Sequence, residues 1–117
     1  IGGKNMIIHA GSRHSGKTTK AIIMAASTKS LLLTPNSTMA DYIRSVARDM
    51  GYHVETVSIQ HYLEYKQHYR GRKLVIDELD TVLREAFGGD VIMATTTGAT
   101  MEHGFSFINK VDKVYGR

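Results

Sequence analysis

Gly11-Ser12-Arg13-His14-Ser15-Gly16-Lys17-Thr18 fills every position of the pattern G-x-x-x-x-G-K-[ST]. Gly11 and Gly16 allow a tight backbone path along which successive N–H groups converge on an anion. The Lys17 ammonium can reach the outer phosphates of a nucleoside triphosphate, and the Thr18 hydroxyl is a ligand for Mg²⁺. Ser12, Arg13, His14, Ser15 and Thr19 complete the candidate nucleotide-binding set, with Arg13 and His14 at variable positions expected to be exposed. Farther along, Leu74-Val75-Ile76 runs into Asp77-Glu78. Asp77 suits a second Mg²⁺ ligand, usually through water, and Glu78 suits a residue that orients and polarises an attacking water. Side chains alternate along a strand, so adjacent acids at its end can serve two tasks. Taken alone, the pair reads more simply as solvated acids opening a helix, where the dipole favours them. The complete phosphate loop upstream favours the chemical reading.

A phosphate loop needs a strand before it and a helix after it. Met6–Ala10 and residues 17–27 supply them. Further apolar runs predict strands at Leu31–Thr34, His53–Ile59, Leu74–Asp77 and Val91–Thr95. Three of the runs are continuously apolar, the pattern of strands buried on both faces of a parallel sheet. Residues 37–50 put Met39, Ile43, Val46, Ala47 and Met50 on one helical face, with Asp41 in the first turn and Arg48 in the last. Gly51 is the stop. Pro35 pushes Thr34 into extended backbone and ends the strand there. A short helix over 80–87 closes at Gly88-Gly89. The order β-α-β-α-β-(α)-β-α-β predicts an α/β fold: a three-layer parallel sheet flanked by helices, with right-handed crossovers. Such sheets collect ligands at the carboxyl ends of their strands, which would bring Asp77 and Glu78 beside the phosphate loop.

With 117 residues the chain fits one domain, 1–117, in which residues 1–5 read as an expression remnant or a disordered lead-in to Met6. Its 42% hydrophobic and 22% charged residues, with one proline, are those of a folded, water-soluble protein. No run of about 18 apolar residues predicts a membrane helix, and no secretory pattern opens the chain, so a cytoplasmic location is expected. The lack of cysteine excludes disulfides, thiolate metal sites and cysteine nucleophiles. Fifteen Lys and Arg against 11 Asp and Glu leave a charge of +4, suited to a phosphate-bearing partner without amounting to a polybasic arm. The six histidines show no ligand spacing, which argues against zinc.

Between the third and fourth strands, His61, Tyr62, Tyr65, His68 and Tyr69 precede Arg70-Gly71-Arg72-Lys73. Tyr62, Tyr65 and Tyr69 share a helical face, from which Leu63 and Tyr65 are expected to reach the sheet. An aromatic and basic platform for single-stranded nucleic acid is one reading. A helix packing its tyrosines into the core beside a solvated basic loop is the commoner outcome. Thr95-Thr96-Thr97-Gly98 can either reach a phosphate or end a strand. Phe105, Phe107, Val111 and Val114 are expected to form the last packing layer.

Taken in order, Gly11–Thr18, Leu31-Leu32-Leu33-Thr34-Pro35-Asn36, Leu74-Val75-Ile76-Asp77-Glu78-Leu79-Asp80 and Met93-Ala94-Thr95 resemble motifs I, Ia, II and III of the first RecA-like domain of superfamily 1 and 2 helicases. The resemblance covers about residues 6–98. Motifs I and II are specific to P-loop NTPases with a glutamate beside the Walker B aspartate, whereas Ia and III are weak individually. It implies a RecA-like P-loop NTPase fold and Mg²⁺-dependent hydrolysis of ATP, with Lys17, Glu78 and Thr95 catalytic and Thr18 and Asp77 holding the metal. Thr34, Pro35 and Asn36 would lie near a nucleic-acid strand, with the helix over 37–50 beside the track, and Thr95 would couple the γ-phosphate to that strand. Arg70 and Arg72 are further candidates for nucleic-acid contact. Met93 stands where many relatives carry serine. In those relatives a second RecA-like domain supplies arginine fingers, so here a protein partner or a second copy of the chain is expected to supply them. An isolated chain should then hydrolyse ATP slowly.

Three functions follow as expectations: a helicase-like or translocase-like ATPase acting on DNA or RNA, a small-molecule phosphotransferase, and a binding module switched by ATP. Thymidine kinases have a similar phosphate loop and Asp-Glu pair. They also carry a lasso segment, often zinc-bound through cysteines, which a chain without cysteine does not match.

Overall fold

The computed structural model describes residues 6–12 and 16–103. Along the chain lie β1 (Met6–Ala10), α1 (Lys17–Thr28), β2 (Leu31–Thr34), α2 (Ser37–Asp49), β3 (Thr56–Ser58), α3 (Ile59–Glu64), β4 (Leu74–Ile76), α4 (Leu79–Phe87) and β5 (Ala99–His103). The fold is α/β with parallel strands, and the alternation of elements follows the sequence pattern. They gather into two compact units, one built on β1 and β5, the other spanning Thr18–Ile92.

The larger unit is organised around β2. Its sheet has the order β3-β2-β4, all parallel, with Leu32 opposite Thr56 on one side and Val75 on the other. All four residues of β2 are buried. Because strand side chains alternate, Leu32 faces one layer and Leu31 and Leu33 face the other. Leu32 packs with Ile22 and Ala25 of α1, Ile43 and Ala47 of α2, and Val54. Leu31 and Leu33 pack with Ile59 of α3, with Val82 of α4 and with Tyr69 from the turns between them. Helices thus cover both faces of the sheet, which is why β2 reads as an unbroken apolar run. Leu32 has no exposed surface, so Leu32→Ala should lower the unfolding free energy by about 2–5 kcal/mol in urea titration. A loss below about 1 kcal/mol would mean that this residue does not carry the core assigned to it.

α2 opens with a cap: Asn36 is extended (φ −153°) and its side chain accepts from Met39 N at 2.9 Å. Ala40, Ile43 and Ala47 form its buried stripe, with Val46 and Met50 packed alongside. Asp41 lies one residue beyond the first turn and pairs with Arg44, so it does not complement the helix dipole as expected. Gly51 (φ +87°) accepts the left-handed conformation that ends the helix, and Tyr52 N closes back on Ala47 O at 2.8 Å.

The smaller unit pairs β1 with β5 in parallel, from Met6 opposite Ala99 to Ala10 opposite His103. His9 Nδ1 lies 3.7 Å from Glu102 Oε1 across this pair.

Four expectations need correction. The strands form a sheet of three and a sheet of two, where one sheet was expected. Val91–Thr95 is not a strand: residues 91–98 carry no ladder, Ile92 is 95% exposed, and the pairing with β1 is made by Ala99–His103 instead. Apolar composition marks what could be buried, whereas a strand also needs a neighbour's free N–H and C=O groups. β3 is shorter than His53–Ile59, because Ser58 Oγ accepts from His61 N at 3.1 Å and caps α3, turning Ile59 into a helix. Burial on both faces holds for β2 alone, since β4 lies at a sheet edge and Met6, Ile7, Leu74 and Ile76 are exposed.

Residues 1–5, Arg13, His14, Ser15, and Phe105, Phe107, Val111 and Val114 lie outside the described residues. Among the described residues no helix is long and apolar enough to cross a membrane.

Candidate functional site

Packing of the core positions the acidic strand end. Asp77 N donates to Leu33 O at 3.0 Å, extending the β4–β2 ladder by one residue and fixing Asp77 at the carboxyl end of the sheet. Ile22 and Ala25 dock α1 on Leu32, and this leaves the first turn of α1 beside the same sheet end. There Thr18 Oγ1 donates to Asp77 Oδ2 at 3.2 Å. Asp77 is 4% exposed. Two residues far apart in the chain, one ending the phosphate-loop motif and one ending the acidic strand, are thus in direct contact.

A hydroxyl and a carboxylate oxygen are hard donors of the kind Mg²⁺ prefers. Among the described residues no group of three or more His, Cys, Asp and Glu could hold a metal. That is compatible with Mg²⁺, which keeps several waters and usually takes only one or two protein oxygens beside phosphate ligands. Thr18 and Asp77 therefore fit the ion.

Glu78 follows at φ +63°, ψ +60°, as the N-cap of α4. N-cap residues are ordinarily extended and their side chains accept a backbone N–H. Glu78 is left-handed and its side chain caps nothing. For a non-glycine residue this conformation costs roughly 1–2 kcal/mol. The other such residue among those described, Lys29 (φ +56°), sits just past the end of α1, where a left-handed residue commonly ends a helix. Strain of the kind seen at Glu78 concentrates at functional positions. Its backbone carbonyl still accepts from Val82 N at 2.9 Å, and its side chain is exposed.

In the loop itself, Gly16 takes φ +82° immediately before α1 begins at Lys17. That turn favours glycine. Lys17 Nζ donates to Ser12 O at 2.8 Å, so the ammonium folds back on its own loop. Gly11 is half-buried, and Ser12 and Thr19 are exposed.

The remaining candidates are placed differently. Thr34 and Pro35 are buried, with Thr34 Oγ1 donating to Asn36 O at 3.0 Å. Asn36 is exposed, but its side chain is engaged as the α2 cap. Replacing it by alanine should cost about 1 kcal/mol of stability, read from the thermal or urea midpoint. A neutral substitution would mean that the cap is dispensable. Thr95 lies exposed in the irregular segment 91–98. Arg70 is exposed, and Arg72 Nη1 pairs with Glu55 Oε1 at 2.8 Å.

The aromatic cluster divides. α3 ends at Glu64, so Tyr62, Tyr65 and Tyr69 do not share one helix as expected. Tyr69 is buried, stacks on Tyr62 with centroids 5.8 Å apart, and its hydroxyl meets His61 Nε2 at 3.0 Å. Burial and then the Glu55 carboxylate push its phenol above the usual tyrosine range, with Arg72 opposing, so it stays neutral at pH 7. Tyr65 and Leu63, expected to reach the sheet, are instead 49% and 41% exposed. The turn after α3 explains this, because it returns Tyr69 to the core in their place.

Two features leave no mark in the sequence. Nothing in Asp-Glu-Leu signals a left-handed glutamate, and no local spacing links Glu55 to Arg72. Protein-family models, curated proteins and solved structures give no match to this chain.

Proposed function

We propose that this chain binds ATP with Mg²⁺ and hydrolyses it, as a RecA-like ATPase domain of the helicase or translocase kind acting on nucleic acid. The contact of Thr18 with Asp77 carries the reading, because it joins the end of a complete phosphate-loop motif to the end of the acidic strand. In this reading the loop N–H groups and the start of α1 hold the phosphates. Lys17 leaves Ser12 O to pair with the outer phosphates. Thr18 and Asp77 would hold Mg²⁺, which when bound would neutralise charge on the phosphate oxygens. Glu78, exposed next to them in sequence, accepts the proton of the attacking water. No arginine is assigned to the transferring phosphoryl group, so a partner or a second copy supplies it, and such arginines are worth about 10³–10⁵ in rate.

Hydrolysis of ATP by the purified chain tests this, measured with and without Mg²⁺ and single-stranded DNA or RNA, across protein concentration. The expected result is slow, Mg²⁺-dependent turnover, stimulated by single strands and rising per protomer with concentration. Turnover indifferent to Mg²⁺ would contradict it.

A further inference from the structure

We infer that the segment from α3 through Arg70 is a stacking platform for single-stranded nucleic acid, an inference that rests on the nucleic-acid part of the proposed function. Tyr69 is its anchor. The buried ring contacts His61 (5.9 Å between centroids) and His68 (4.8 Å, edge-on), and His61 in turn contacts Tyr65 at 4.7 Å. His61, Tyr65 and His68 are all exposed, so a row of rings is linked through the buried Tyr69. Successive turns fix the backbone: His68 N donates to Tyr65 O at 2.9 Å, Tyr69 N to Lys66 O at 3.1 Å and Arg70 N to Gln67 O at 3.3 Å.

Charge selects the occupant. Lys66 and Arg70 are exposed within the row and form no ion pair among the described residues, whereas Arg72 is held by Glu55. Over residues 59–73 the only acid is Glu64. Exposed rings interleaved with exposed cations match a polymer of bases on phosphodiesters: the rings stack on bases of any sequence and the cations track the backbone. A duplex, with its bases already stacked, would meet the cations alone.

The test is fluorescence anisotropy of labelled oligo(dT) and oligo(rU) with the full chain, over a range of salt, without nucleotide. Inorganic polyphosphate serves as a purely anionic probe. Tyr65→Ala should weaken binding of both oligonucleotides by about 5- to 150-fold and leave polyphosphate unchanged, and Tyr65→Phe should restore it. Lys66→Ala and Arg70→Ala should each reduce the salt slope by about 0.7. Both are exposed, so the variants should keep the wild-type circular dichroism. Oligonucleotide binding that persists unchanged in Tyr65→Ala and Arg70→Ala overturns the platform while leaving nucleic-acid action standing. A wild-type chain that binds neither oligonucleotide overturns both, and equal weakening of polyphosphate by Tyr65→Ala overturns the stacking role.

Discussion

Glu78→Gln will bind ATP with wild-type affinity and turn it over at least about a hundredfold more slowly. Glutamine keeps the volume of glutamate and can still hydrogen-bond to water, but it cannot accept a proton. Removing a positioned general base costs typically 10²–10⁴ in rate. The exposed side chain makes no cap, so the substitution leaves the fold as it is. Single-turnover kinetics with radiolabelled ATP separate the chemical step from binding. Wild-type turnover in this variant would show that Glu78 does not activate the water, and that its left-handed backbone has another cause.

Lys17→Ala should act on the other half of the reaction. It removes the ammonium assigned to the outer phosphates, and hydrogen bonds to charged groups contribute about 1.5–3 kcal/mol each. Loss of two such contacts weakens nucleotide binding by at least about a hundredfold. Among the described residues Lys17 Nζ bonds only to Ser12 O, in an exposed contact, so stability should change by less than about 1 kcal/mol. Titration with a fluorescent ATP analogue reads the effect. Retention of near wild-type affinity would mean that phosphates are not held by this lysine.

These effects are legible from sequence because the motif and the acidic strand end are both local patterns. The contact between them is not local, yet it follows from a general property of parallel α/β sheets, that strand ends and helix starts collect on one side. Leu31–Thr34 is legible as a strand because burial on both faces leaves no alternation for polar residues to occupy. Val91–Thr95 has a similar composition and fails as a strand, since ladder partners come from the whole fold and the pairing with β1 goes to 99–103. His53–Ile59 loses its end to a serine cap, a competition between two local rules that hydrophobicity does not register. The tyrosines show the same limit: helical spacing placed three rings on one face, but α3 stops at Glu64 and a series of turns buries Tyr69 and exposes Tyr65. The strain at Glu78 was invisible, because a carboxylate gives no sign of the backbone it will occupy.

Equilibrium binding of ATP to the purified chain, with Mg²⁺ and then with excess chelator, tests the central claim most directly. Saturable binding at one site per chain, tightened by Mg²⁺ and dependent on Asp77 in an Asp77→Asn variant that remains folded, is the predicted result. No binding in the presence of Mg²⁺, or binding indifferent to both the metal and Asp77, would contradict the assignment of Thr18 and Asp77 as a metal and phosphate site.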